Sequence, residues 1–231
     1  MCSSDLTIAE LVAELLGTFL FFVVGAGAVV VNAATGGEVG LLGVALAHGL
    51  ALAVLATALG PVSGGQFNPA VTVALWLVGK VRTRAGARII VAQLAGAVAA
   101  GFALKLAFGG FDGGDTAYSI GAGGAPMVAD GISTATAIGI EAVLTALLAY
   151  AVLLTAVDGR APKMGGLFIG FAVSADILVG GPLTGAAMNP ARWFGPAIAF
   201  GDLSAALVYV VGPLLGAAVA ALSVRYLFTE R

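Results

Sequence analysis

The triplet Asn-Pro-Ala occurs twice in this chain, at Asn68-Pro69-Ala70 and Asn189-Pro190-Ala191, each time within sequence apolar enough to lie in a bilayer. Each reads as a helix start. Asn is a favoured N-cap because its side-chain oxygen accepts a backbone N–H, and Pro suits the first turn, where a missing N–H costs nothing. A helix that begins at mid-membrane exposes polar backbone, which must line a cavity.

The surrounding composition supports the membrane reading. With 60% hydrophobic residues, 10% charged residues and a mean hydropathy of +1.09, the chain is not an ordinary soluble domain. Six apolar stretches, at about 7–31, 39–59, 87–108, 132–156, 164–179 and 203–228, are long enough to span. Segments 68–78 and 189–200 are too short to cross ~30 Å at ~1.5 Å per residue, and are expected to be half-helices entering from opposite sides. The expected fold is an all-α membrane protein, one channel domain over residues 1–231, with six transmembrane helices and two half-helices.

Several function classes fall away. The net charge of -2 comes with no basic face for nucleic acid. Cys2 is the sole cysteine, so neither an internal disulfide nor a thiolate metal site is expected, and no cofactor is implied. No Ser-His or paired-acid constellation suggests hydrolysis, so an enzyme is not expected. The opening Cys2-Ser3-Ser4-Asp5-Leu6 lacks the basic start and cleavage pattern of a signal peptide. It reads as a translated sequencing adapter and is expected to be non-native, which resequencing the locus would test.

Lys80, Arg82, Arg84 and Arg88 share one connection, Arg160 and Lys163 another, and Arg225 and Arg231 lie near the C-terminus. Connections 32–38 and 109–131 carry only the acids Glu38, Asp112, Asp115 and Asp130. The positive-inside rule then places both termini in the cytoplasm. Short termini and connections suggest a prokaryotic plasma membrane.

The second half of the chain echoes the first. Glu14 has a counterpart in Glu141, Gln93-Leu94-Ala95-Gly96 in Pro213-Leu214-Leu215-Gly216, and the two triplets lie 121 residues apart. Three spans per half force the repeats, about 7–108 and 132–228, into opposite orientations. Inverted repeats with broken helices place a permeation or binding site at the repeat interface near the midplane. Two half-helices meeting there would turn their positive dipole ends and the amides of Asn68 and Asn189 on one short stretch of pore, repelling cations while neutral solutes pass.

Arg192 follows the second triplet. A guanidinium this deep reads as facing water in the pore, the alternative being a helix-end residue anchored on a carbonyl or carboxylate. Glu14 and Glu141 read as scaffold residues that accept N–H bonds from the loops before the triplets. His48, the only histidine, reads from its residues alone as a packing residue, since no second His or Cys completes a metal site. Asp176 reads as a solvated mouth residue, or as a partner for a nearby donor. Trp76 and Trp193 read as packing or interface aromatics.

Segments 63–72 (SGGQFNPAVT) and 180–192 (GGPLTGAAMNPAR) closely resemble the two signature loops of the aquaporin, or major intrinsic protein, family, and the resemblance covers essentially the whole chain. It implies a homotetramer with one pore per subunit and an outer filter of four positions. Carried over by their spacing from the signature asparagines, these are His48, Ile177, Ala186 and Arg192, which turns His48 into a filter residue. This set is similar to that of plant tonoplast intrinsic proteins and ammonia-permeable animal aquaporins. Water-selective members usually have Phe and His at the two helix positions. An Ile in place of the latter removes a donor and adds an apolar wall, which implies tolerance of ammonia, hydrogen peroxide or urea.

Glycerol facilitation is the runner-up. Glycerol channels of the family typically carry an acid directly after the signature Arg and a basic residue four positions later, whereas Trp193 and Ala197 stand here. The third connection lacks the further His of some ammonia-permeable relatives. A secondary transporter and a closed-pore structural protein are the remaining classes. The first lacks a second intramembrane ion-binding cluster beside Asp176.

Overall fold

A computed structural model describes residues 6–110, 112–161 and 163–228, so Cys2 to Asp5 and Arg231 lie outside the described residues. The helices are, in order, α1 (Ile8–Ala34), α2 (Gly40–Ser63), α3 (Pro69–Leu77), α4 (Thr83–Phe108), α5 (Gly114–Ile120), α6 (Thr134–Val152), α7 (Gly165–Thr184), α8 (Pro190–Phe200) and α9 (Ala206–Ser223). Helices α6 and α9 each run on into a π turn, Leu153–Val157 and Val224–Phe228. Among the described residues six helices are long and apolar enough to cross a membrane, and α3 and α8 are the two half-helices. The chain is an all-α, multi-pass membrane protein.

The two halves pack alike. α1 lies against α2 and α4, α6 against α7 and α9, and the halves meet along α2 and α7. Gly96 of α4 rests on the Leu15 carbonyl of α1, and Gly216 of α9 on the Ala142 carbonyl of α6. A Cβ at either glycine would overlap that oxygen, so the crossings need glycine, as expected where close packing replaces a hydrophobic drive. Each half-helix leans mainly on the last helix of the other half, α8 on α4 and α3 on α9.

Helices α2 and α7 continue beyond the apolar stretches that announce them, through Pro61 to Ser63 and through Pro182 to Thr184. A proline so close to a helix end removes one hydrogen bond and does not stop the helix, which ends at left-handed Gly64 and Gly185. The longer α7 corrects the reading of Asp176 as a solvated mouth residue. It sits about two turns inside the helix end, 2% exposed, and its Oδ2 has no hydrogen-bond partner among the described residues. The third connection is also more ordered than its glycines suggest. It forms α5 and a 3-10 turn (Ala122–Gly124), buries Ala117 and Tyr118, and bonds Ala129 N–H to the Leu183 carbonyl at 2.9 Å.

Candidate pore and constriction

Segments 63–70 and 184–191 adopt the same geometry. Phe67 and Met188, directly before the two asparagines, have φ of 49° and 53°, a left-handed backbone that costs a side-chain-bearing residue roughly 1–2 kcal/mol. Hydrogen bonds on both sides hold them there. The Phe67 N–H donates to Glu14 Oε2 at 2.9 Å and the Met188 N–H to Glu141 Oε2 at 2.7 Å. Their carbonyls turn to the opposite loop, where Asn189 Nδ2 donates to Phe67 O at 2.9 Å and Asn68 Nδ2 to Met188 O at 3.0 Å. Each asparagine Oδ1 caps its own half-helix, accepting from Ala70 N–H at 2.8 Å or Ala191 N–H at 2.9 Å. A primary amide has two N–H bonds, so each asparagine retains one for the cavity that it lines. Pro69, Ala70, Pro190 and Ala191 are buried in the first turns behind them.

Glu14 accepts from Ser63 Oγ at 2.7 Å, Gln66 N–H at 2.9 Å, Phe67 N–H and Gln93 Nε2 at 2.8 Å. Glu141 accepts from Thr184 Oγ1 at 2.7 Å, Ala187 N–H at 3.0 Å and Met188 N–H. The fourth donor has no equivalent, because Pro213 stands where the first half has Gln93. Trp193 stands where it has Thr72, which bonds Gln93 at 3.1 Å. The second half substitutes a stack: Trp193 lies 5.9 Å from Tyr209 at 26°, and the Tyr209 hydroxyl donates to Thr184 O at 2.7 Å. Trp193 is therefore a buried packing residue, whereas Trp76 is 45% exposed and donates to Thr83 Oγ1.

A cavity of about 1270 Å³ opens at the end of the bundle that carries Lys80, Arg82, Arg84 and Arg88, passes both asparagines and reaches His48, Ala186 and Arg192. Ile177, 3% exposed, packs in the core and is not among the lining residues. A shift of 121 residues carries His48, Ile177, Ala186 and Arg192 onto Ile169, Ala56, Gly65 and Val71, which line the cavity on the basic side of the asparagines. The quartet that contains His48 and Arg192 thus has a mirror with no polar side chain. In the connection between α6 and α7, outside the spans, hydrogen bonds from Arg160 hold the Asp158 carboxyl down at about 2.

Arg192 is both anchored and cavity-lining, so the two readings of it are compatible. Its Nε donates to His48 Nε2 at 2.9 Å and its Nη1 to the Gly124 carbonyl. Three of the five guanidinium N–H bonds remain for other acceptors. His48 Nδ1 lies 2.9 Å from the Val44 carbonyl, which can only accept, so Nδ1 carries the proton and Nε2 is the acceptor for Arg192. With both nitrogens engaged, the ring offers the cavity bulk and carbon edges. Phe21 meets it edge-on at 6.2 Å. Gly124, Thr184 and Tyr209 have no sequence signal of their own; a glycine run in the third connection is the nearest hint.

Known proteins share the fold that carries these segments. The family model "Major intrinsic protein" matches residues 1–224. Aquaporin TIP4-4 of Zea mays is 42% identical, covering 96% of this chain and 87% of the relative. Aquaporin AqpM of Methanothermobacter thermautotrophicus is 39% identical over 95% of this chain and 97% of its own, and Aquaporin NIP1-2 of Oryza sativa subsp. japonica 38% over 96% and 72%. The X-ray structure of the aquaglyceroporin from Plasmodium falciparum superposes with a TM-score of 0.84, covering 96% of each chain, at 24% identity, and shares the fold. This chain belongs to the major intrinsic protein family, whose aquaporins are membrane channels for water and small solutes rather than enzymes.

Proposed function

We propose that the chain is a passive channel for water and small neutral solutes, ammonia among them, that excludes protons and ions. The observation that carries this reading is the reciprocal pair of bonds from Asn68 to Met188 O and from Asn189 to Phe67 O. It spends one amide hydrogen on each loop and leaves one on each side of the cavity. A passing oxygen accepts from both, while the positive ends of α3 and α8 oppose any cation. The Asn-Pro-Ala motifs form this central barrier, and Glu14 and Glu141 hold the loops that carry it.

The narrow filter is His48, Ile177, Ala186 and Arg192. Because both nitrogens of His48 are already bonded, Arg192 is the one side chain of the four with donors to spare. Arg192 as the polar corner, with the His48 ring edge and the Ala186 methyl as apolar walls and Ile177 in the core outside the lining, makes an aperture that accommodates ammonia and hydrogen peroxide as well as water. Urea is the larger test of its width. Buried Trp193 and Ala197 leave no charged pair beside Arg192, which disfavours glycerol. The protein assembles as a homotetramer in the cell membrane, with both termini and the basic end of the cavity cytoplasmic.

The test is purified protein in proteoliposomes, with water, methylammonia, hydrogen peroxide, urea and glycerol fluxes compared under identical gradients. Water and methylammonia fluxes above protein-free vesicles, non-saturating and independent of ions, with glycerol near baseline, are the expected pattern. Saturation or ion dependence would favour a carrier. Fast glycerol entry would favour a glycerol facilitator.

A further inference from the structure

We propose that Lys105 and Arg225 strengthen the cation barrier of the pore by neutralising the outward, negative ends of the two half-helices. This rests on the channel reading above. Lys105 Nζ donates to the Ala199 carbonyl at 3.1 Å, in the last turn of α8. Arg225 Nη1 donates to the Leu77 carbonyl at 2.7 Å, at the last residue of α3. The pairing is crossed: Lys105 comes from the first half of the chain and caps the half-helix of the second, while Arg225 does the reverse. The residues hold equivalent places in the repeat, Lys105 in the last turn of α4 and Arg225 at the start of the π turn that continues α9, the helices on which α8 and α3 lean.

A short helix carries roughly half a positive charge at its N-terminus and half a negative charge at its C-terminus. α3, with nine residues, is only roughly 14 Å long, so its far end offsets part of the field at the asparagines. A cation seated on that end cancels the offset, and the N-terminal charge then acts almost alone on the pore. Lys105 and Arg225 are both exposed, so water and salt reduce the effect. At an effective dielectric constant near that of a wetted protein surface, each is worth about a two- to fourfold change in cation passage.

Capping also steadies a helix whatever its charge, so the test must separate charge from hydrogen bonding. In the Arg192→Val background, chosen to bring ion leak within range, Lys105→Met, Lys105→Gln, Arg225→Met and Arg225→Gln are compared in proteoliposomes. Water permeability, proton leak under a clamped potential and formate leak are read together. Each Met variant is expected to raise the proton-to-water ratio about two- to fourfold at low salt and to lower the formate-to-water ratio, with less effect at high salt. The Gln variants, which keep a donor and lose the charge, should match the Met variants. Gln variants that restore the parent ratios, unchanged ratios, or proton and formate leaks rising together would overturn the proposal. Unsubstituted protein that conducts no water would overturn the channel reading as well.

Discussion

Arg192 and His48, separated by 144 residues, share a 2.9 Å hydrogen bond that orients the guanidinium along the cavity wall and occupies the remaining nitrogen of the imidazole. The bond ties α2 to the first turn of α8. It makes the proposed filter a joint property of both halves of the chain.

Exchanging the two helix positions of the filter tests that arrangement. His48→Phe with Ile177→His is expected to retain water flux and reduce ammonia flux, because an imidazole at position 177 of α7 reaches further toward the opening that Ile177 does not line. Unchanged selectivity in the same flux assay would remove these residues from the filter.

Ala186 holds a φ of 47°, where its repeat counterpart is a glycine, Gly65, at 62°. Ala186→Gly relieves roughly 1 kcal/mol of backbone strain and removes a methyl group from the cavity wall. The urea-to-water flux ratio should rise while thermal stability in detergent holds or improves. A lower melting temperature with an unaltered ratio would contradict this.

The two glutamates predict unequal damage. Glu14→Ala strands four donors and Glu141→Ala three, at about 1–3 kcal/mol for each buried group left without a partner. Tyr209 gives the second loop an additional tether. Thermal unfolding followed by size-exclusion chromatography should show the larger loss for Glu14→Ala.

Asp176 has a buried carboxylate oxygen with no hydrogen-bond partner among the described residues, and burying such an oxygen unpaired carries a desolvation cost. Asp176→Leu is expected to raise stability by about 1–3 kcal/mol, read as a higher melting temperature with water flux retained. Loss of flux with unchanged stability would instead assign Asp176 a part in conduction.

Much of this architecture is legible in the residues because it is written twice. Asn68 and Asn189 announce half-helices since a cap and a proline have no other use within an apolar run, and Glu14 and Glu141 stand out as acids in matching spans. Contacts made through backbone carbonyls or between residues distant in sequence are harder to see. The crossed caps from Lys105 and Arg225 join residues that only the fold brings together, and Tyr209 acts through a backbone carbonyl, which carries no side-chain signature. The Gly-Gly-Pro sequence after Val179 looks like a helix end and puts Asp176 at the mouth, whereas one proline in the final turn removes only a single bond and leaves Asp176 inside α7. The engagement of both His48 nitrogens depends on the Val44 carbonyl and on an arginine 144 residues away.

Passage of water without protons is read most plainly by a paired stopped-flow measurement on one proteoliposome preparation, with osmotic water flux and proton flux followed under a clamped potential. Water flux well above that of protein-free vesicles, with a weak temperature dependence, is expected alongside proton flux at the protein-free level. Vesicles that swell no faster than the lipid alone, or that pass protons in step with water, would contradict it.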